Sequence, residues 1–510
     1  MKTTRKMTRA LPGGGLLFLL LFAFVGQADA QTWTQLTVTG GPPDPRSGHT
    51  AVYSQARNRM IVFGGRNPTG FDAFDPSVAL RNDVWVLSNA DGTETSAPSW
   101  TALTPTGGPP IRRVGATSVY DPNSNRMIVF GGNPNEGFCF GTVNDLWLLS
   151  NADGTEPSTP AWTQVSATGG PPSRRWVHSV GYDPATNRMI VFGGADACVD
   201  RNEEVWILHN ANGLGGTPAW TQLVPGGTPP TPGADARGIY DPSANMLIVV
   251  NNPGGLVNVQ VLTNANGLGG TPAWFHLSPT GGPPTAADAY STSFVYDPAS
   301  NRLIVFGGCC GPVPGGRINE VWALSNANGT APSTPAWTRL GPTGGPPLGR
   351  DFPTSVFNPT TKRMTVFGGR ACISGGVCTA ASEFSNLNDV WVLTVTNEIV
   401  EITVAIDIKP GSINPKSRGV TPVAILTTAT FNAATVDSST VRFGKTGTEA
   451  SPTQVALEDV NGDGLIDMVL HFQTQQTGIV CGTTSAFLRG KTLSGQSIKG
   501  SDPINTVGCK

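Results

Sequence analysis

Charged residues are scarce in this chain: Asp, Glu, Lys and Arg make up 13% of its 510 residues, about half the usual share. The shortage of Lys and Glu excludes a coiled coil or helical bundle, whose surfaces are built from them. A net charge of -2 with 38% hydrophobic residues excludes a disordered chain. It also leaves no basic stripe for nucleic acid. Long apolar runs are missing as well. The stretch Leu16 to Val25 has ten residues, against the roughly 20 that a membrane-spanning helix needs. Abundance lies elsewhere, in 64 Gly and 43 Pro. That surplus of turn formers points to an all-β protein of many short strands. The length allows two or three domains, each with a real core.

The first thirty residues read as a leader. Lys2, Arg5, Lys6 and Arg9 precede the apolar run, and Ala28-Asp29-Ala30 follows as a cleavage signal. We expect residues 1–30 to be removed as a signal peptide. The mature chain would start near Gln31 and be secreted, extracellular or periplasmic, without membrane insertion. No Cys sits at the cleavage point to carry a lipid anchor.

Residues 31–397 repeat themselves. Asn58 to Gly65, closing on a double Gly, recurs from Asn125, Asn187 and Asn301, and in worn form from Asn245 and Lys362. The period is about sixty residues. Each unit carries four strand signals: a run such as Thr50 to Tyr53, an apolar run such as Arg59 to Phe63, an alternating Asp83 to Leu87, and a Trp100 to Leu103 type strand. Tight turns join them, among them Asn-Ala-Asp-Gly and Asn-Ala-Asn-Gly. Four strands per repeat describe a propeller blade.

The double Gly, the Trp at 85, 147, 206, 322 and 391, and Arg46 with His49 resemble the kelch-repeat family. The likeness is strongest to secreted propellers of the galactose-oxidase type. It implies a six-bladed kelch β-propeller. The Trp at 33, 100, 162, 220, 274 and 337 then mark six outer strands, so the strand at Trp33 completes the last blade. A copper-radical site like that of galactose oxidase needs Tyr and His to spare. Five of the six Tyr are turn residues and the five His are scattered, so no copper is expected.

After about Asn397 the composition changes. All Trp and Tyr lie at or before position 391, while six Lys follow 398. Residues 398–510 read as a small C-terminal β-sandwich-like domain. Its sharpest motif places Asp459, Asn461, Asp463 and Asp467 at loop positions 1, 3, 5 and 9, with the Leu465 carbonyl at 7 and Gly464 at the turn. That pattern predicts a structural calcium ion, or failing that an Asx-rich turn.

Eight cysteines in an exported chain point to disulfides. Cys481 and Cys509 pair as the two of the tail, Cys372 with Cys378 within one loop, and Cys139 with Cys198 between neighbouring blades. Cys309 and Cys310 are left as a vicinal pair or as members of a different pairing.

The longest insertions fall between second and third strands, on the face that also carries the inter-blade loops. Arg46, Arg113, Arg175 and Arg350 recur there, seven residues before each Tyr53-type position. They predict either a guanidinium ring facing a carboxylate or sulfated ligand, or framework residues bonded to backbone. Phe71, Phe138 and Trp176 could stack sugar rings beside them. We therefore expect a monomeric, non-enzymatic binding or scaffold protein that recognises a glycan or extracellular protein through this face. The alternative is a carbohydrate-active hydrolase, lyase or oxidase with its site at the channel mouth, using acids such as Asp72 and Asp75 or Asp196 and Asp200.

Overall fold

The computed structural model describes residues 31–509 except 68–78, 136–140, 156, 197–199, 232–236, 252–256, 283–290, 310–315, 332–333, 373–382, 396–401, 429–430 and 494–496. The leader, Phe71, Phe138, Cys139, Cys198, Cys310 and Cys378 lie outside the described residues. Among the described residues the structure is all-β, with 3-10 turns such as Gln55–Arg57 and no α-helix.

The first repeat shows how a sheet is built. Thr50–Ser54, Arg59–Phe63, Val84–Ser88 and Ser99–Leu103 pair antiparallel in chain order. The second strand is buried continuously from Met60 to Phe63 because neighbouring sheets cover both of its faces, which is why it reads as an unbroken apolar run. The outer strand buries only Trp100. Five further four-stranded sheets begin at Thr117, Ser179, Arg237, Ser293 and Thr354. In the last of these, Thr32–Gln35 supplies the outer strand, with Trp33 opposite Leu393. The six first strands lie side by side in a closed cycle, the sixth beside the first.

Aromatic contacts tie each sheet to the next. Outer-strand Trp rings meet a Phe of the preceding sheet in the pairs Phe63–Trp162, Phe130–Trp220, Phe192–Trp274, Phe306–Trp33 and Phe367–Trp100, with centroids 4.8–5.2 Å apart. Each such pair adds about 0.5–1.5 kcal/mol beyond its area burial. The double Gly has its own reason. Gly65 has φ 93°, and a Cβ there would sit 2.7 Å from the Cβ of His49, so no other residue fits.

Residues beyond 401 form two more four-stranded sheets. One orders Ile402–Thr403, Ser497–Pro503, Ser485–Thr492 and Val436–Gly444; the other Ile406–Ile408, Val420–Ile425, Asp467–Gln473 and Pro452–Glu458. One apolar cluster, including Val423, Phe443, Leu470, Phe472 and Leu488, fills the space between them. Cys481 and Cys509 are disulfide-bonded, with Cα atoms 5.8 Å apart.

At the hairpin end of the propeller, each seam between neighbouring sheets contains one buried carboxylate and at least one donor from the sheet across it. Asn212 donates to Asp121 at 2.7 Å, Asn266 to Asp183 at 2.7 Å and Asn328 to Asp241 at 2.8 Å. In two seams the roles are reversed. Asp91 accepts from Asn358 at 2.7 Å, and Asp153 from Ser54 at 3.1 Å. In the sixth, Lys362 reaches Asp297 at 2.8 Å. All six carboxylates are at most 5% exposed, so each needs its donor. Burial alone would raise the Asp91 carboxyl, but hydrogen bonds from Thr93, Thr361 and Asn58 hold it below the usual range.

One carboxylate per seam is therefore a matching rule. Asn266→Asp sets two carboxylates against each other and should lower stability by about 1–3 kcal/mol. Adding Asp183→Asn should recover most of that loss. Denaturant unfolding of both variants decides it, and a double variant no more stable than the single one refutes the rule.

Candidate binding face

The recurring arginines are wall residues. Arg46 is fully buried and donates to the Asp83 carboxylate from both terminal nitrogens at 2.8 and 2.9 Å, to the Gly64 carbonyl at 3.1 Å and to the Asp44 carbonyl at 3.0 Å. Arg113 repeats this with Asp145, Gly131 and Ile111, and Arg350 with Asp389, Gly368 and Leu348. Arg175 uses Glu204, Gly193 and Ser173. The expected ring facing a ligand is corrected here: these guanidiniums clamp the double-Gly turn to the start of the third strand. The paired acid also accepts the indole N–H of the following Trp, as Asp83 does from Trp85 at 2.8 Å. Trp176 is half-buried and packs over Gly115, where a Cβ would come within 2.9 Å of its ring.

The loops themselves extend the sheets on this face. Arg66–Asn67 pairs with Ala79–Leu80, and Ala195–Asp196 with Asp200–Arg201. Arg350–Asp351, Arg370–Cys372 and Phe384–Asn386 form a three-stranded sheet. Arginines other than the Arg46-type clamp residues brace these extensions. Asp351, fully buried, is bonded by Arg370 at 2.6 Å and Arg317 at 2.9 Å, and both guanidiniums lie over the Phe384 ring. Arg66 belongs to the same neighbourhood. Burial first, then the Arg370 charge, push it down to about 10, against the pull of Asp351. Sequence reasoning missed this group, although Arg66 and Arg370 each directly follow a double Gly.

Residues 459–467 wind around Asp459. Its carboxylate accepts the N–H groups of Gly462 at 2.8 Å and Gly464 at 2.9 Å, and the backbone bonds led by Gly464 keep it below the usual range. Asp463 accepts the Leu465 N–H at 2.8 Å and the Asn461 amide at 3.0 Å. Asp467 is buried and spends both oxygens on the N–H groups of Thr427 and Val460. It braces the loop from the sandwich wall, and Asp459, Asn461 and Asp463 stay exposed. Among the described residues no three His, Cys, Asp or Glu side chains are grouped to hold a metal. Donors for calcium here would be two carboxylates, the Asn461 amide oxygen and the Leu465 carbonyl. Cys309 and Cys372 are also disulfide-bonded.

His49 and His178 are buried beside the clamps. Their Nε2 atoms meet Thr354 at 2.6 Å and Thr117 at 2.5 Å, and their Nδ1 atoms have no hydrogen-bond partner. A protonated ring would leave a buried N–H unsatisfied. Burial, reinforced by Arg46 and only partly opposed by Asp83, lowers His49 to about 3, and His178 falls well below its ordinary value. An unfolded His titrates near 6.5. The neutral rings thus contribute stability that is complete above that pH and drains as pH falls from about 6.5 toward 3. Thermal unfolding across this window should show the loss, and His49→Gln should make its slope shallower. A variant with an unchanged slope excludes His49 as a source.

Comparisons with known proteins agree with the repeat pattern. A family model described as the KLHDC2/KLHL20/DRC7 Kelch-repeats domain matches residues 70–252. The flagellar outer arm dynein alpha chain of Chlamydomonas reinhardtii is 29% identical over 180 residues, 35% of this chain and 3% of that one. The Rab9 effector protein with kelch motifs of Homo sapiens is 28% identical over 207 residues, 39% of this chain and 47% of that one. Host cell factor homolog hcf-1 of Caenorhabditis elegans is 35% identical over 167 residues, 30% of this chain and 18% of that one. This chain spans less than half the length of each. The solved structure of YjhT aligns with a TM-score of 0.47 at 15% identity, over 71% of this chain and 98% of that one. Together the sequence matches liken the repeat region to kelch-repeat proteins.

Proposed function

We infer that the repeat region is a protein-binding propeller that engages its partner through the long-loop face. The observation that carries this is the set of small sheets that extend the second-to-third strand loops and are braced by the buried Arg317–Asp351–Arg370 cluster. Ordered loops on a rigid scaffold are where recognition is usually built. The relatives named for Rab9 effector and host cell factor roles support protein recognition over catalysis. We extend the reading to a secreted protein whose partner is an extracellular protein or glycan. The basic and apolar leader and the Cys481–Cys509 disulfide support export.

Replacing residues 68–78 and 373–382 by short Gly-Ser linkers, with Cys372→Ser to avoid an unpaired thiol, should abolish capture of a purified partner or arrayed glycan. Thermal unfolding should show the six sheets intact. Undiminished binding of every ligand by the folded variant refutes the loop-face reading.

We also infer that the 459–467 loop takes up calcium as a structural ion. Adding calcium to chelator-treated protein should then raise the unfolding temperature of the C-terminal sandwich, and Asp459→Ala should remove that rise. An unfolding temperature indifferent to calcium leaves the loop as an Asx turn.

A further inference from the structure

At the loop-face end, a run of four backbone hydrogen bonds links the inner strands of five sheets; the corresponding residues of the sheet that begins at Arg237 lie outside the described residues. The N–H of Gly115 donates to the Gly48 carbonyl at 2.9 Å, Val177 to Gly115 at 2.8 Å, Gly48 to Phe352 at 3.3 Å and Phe352 to Ser291 at 2.9 Å. All five residues are left-handed, with φ of 62° at Gly48, 65° at Gly115, 47° at Val177, 59° at Ser291 and 51° at Phe352. For Val177 and Phe352 the Cβ opposes this conformation, so the arrangement is imposed by its surroundings. One step further in, the hydroxyls of Thr50 and Ser118 meet at 2.6 Å.

Beyond that constriction a cavity of about 470 Å³ runs between the six inner strands. None of these five residues lines it. It extends instead to the opposite end, where Tyr53, Tyr120, Tyr182, Tyr240, Tyr296 and Phe357 form a collar. In five of the six sheets a Pro follows two residues later and also lines the wall. Each tyrosine hydroxyl lies 2.9–3.1 Å from an Asn side-chain oxygen of its own sheet, and those of Tyr120 and Tyr296 also reach Ser54 and Asp241 of the preceding sheet, which fixes the rings. No Asp, Glu, Lys, Arg or His side chain is among the lining residues. Burial first of all holds the collar un-ionised, with Tyr120 pushed up to about 12.

We propose that this channel is a binding site for a neutral, largely apolar small molecule, which enters on the face opposite the long loops. The volume lies within the roughly 300–1,000 Å³ range of small-molecule sites. An anionic ligand would lose its hydration there and meet no positive charge on the wall, with seam carboxylates such as Asp241 just behind the collar. A neutral ring-bearing molecule replaces water with aromatic, proline and aliphatic contacts. The site shares no residue with the loop-face extensions and does not depend on them.

The probe is N-phenyl-1-naphthylamine, a neutral fluorophore, titrated into the full mature chain. Saturable one-to-one binding is expected, with 8-anilinonaphthalene-1-sulfonate, its anionic relative, bound about ten-fold or more weakly. Ala51→Trp and Val180→Trp each push an indole into the channel from a different sheet. Either should weaken the neutral probe about ten-fold or more while thermal unfolding reports an intact fold. If one variant fails to fold the other still answers, and the comparison of the two dyes needs neither. Three results each overturn the proposal: no saturable binding, equal affinity for the two dyes, or undiminished affinity in a folded channel-filling variant.

Discussion

A ring of repeated sheets stands or falls with its seams. Each sheet here is too thin to bury its own faces, so Ile61, Phe63 and Val84 of one sheet share a core with Met127, Val129 and Trp162 of the next. Apolar contact is indifferent to small sliding movements; a buried carboxylate is not. Asp121, Asp183 and Asp241 each demand a donor at one place, and the Asn of the next sheet supplies it. The polar pairs therefore set the register in which the apolar faces meet. Where the hairpin carries Asp instead, at Asp91 and Asp153, the neighbour carries Asn358 or Ser54. The charge changes sides without being doubled. A buried pair of like charges would force one to protonate, so this alternation is a physical requirement of a dry seam.

The same logic explains which parts of the protein were legible from its residues. The all-β class and the four-strand unit could be read because each element repeats its reason: Gly65 for close approach, Met60 to Phe63 for burial on two faces, Trp100 for the aromatic contact. The seam pairs were half visible. Asn-Ala-Asp-Gly and Asn-Ala-Asn-Gly turns stand out in the sequence, but their partners lie one repeat away in the other strand pair. Nothing local says that Asn266 must answer to Asp183. The arginines were visible and misdirected. Arg46, Arg113, Arg175 and Arg350 recur in phase, and a residue repeated in every blade serves what every blade needs, here a clamp from the double-Gly turn to the third strand.

Specific function in a repeat protein has to come from what is out of phase. Arg66, Arg317, Arg370 and Phe384 belong to insertions that differ from sheet to sheet, and they build the braced sheets of the loop face. Only Arg66 and Arg370 share a repeat position, directly after the double Gly, and Arg317 and Phe384 have no counterpart there. Their pattern departs from the seams as well: two arginines share Asp351, with Arg66 close enough to feel Arg370, in place of one donor for one acid. Such a cluster is held by the loops around it and holds them in turn. That mutual dependence keeps the loop face in one shape while its composition is free to differ from blade to blade.

The two ends of the propeller thus answer to opposite constraints. At the loop end, peptide groups of neighbouring sheets are bonded to one another through Gly48, Gly115, Val177, Ser291 and Phe352, and the inserted sheets extend the loops on that face. Recognition there is a matter of surface. At the other end the tyrosine collar repeats with the period of the fold. Its rings cannot swing, because each hydroxyl is tied to the left-handed Asn that begins the next strand. The Asn that shapes the turn also sets the width of the channel. A substitution at Asn58 or Asn125 would act on folding and on the cavity together, which couples the central channel to the turn chemistry that makes the propeller.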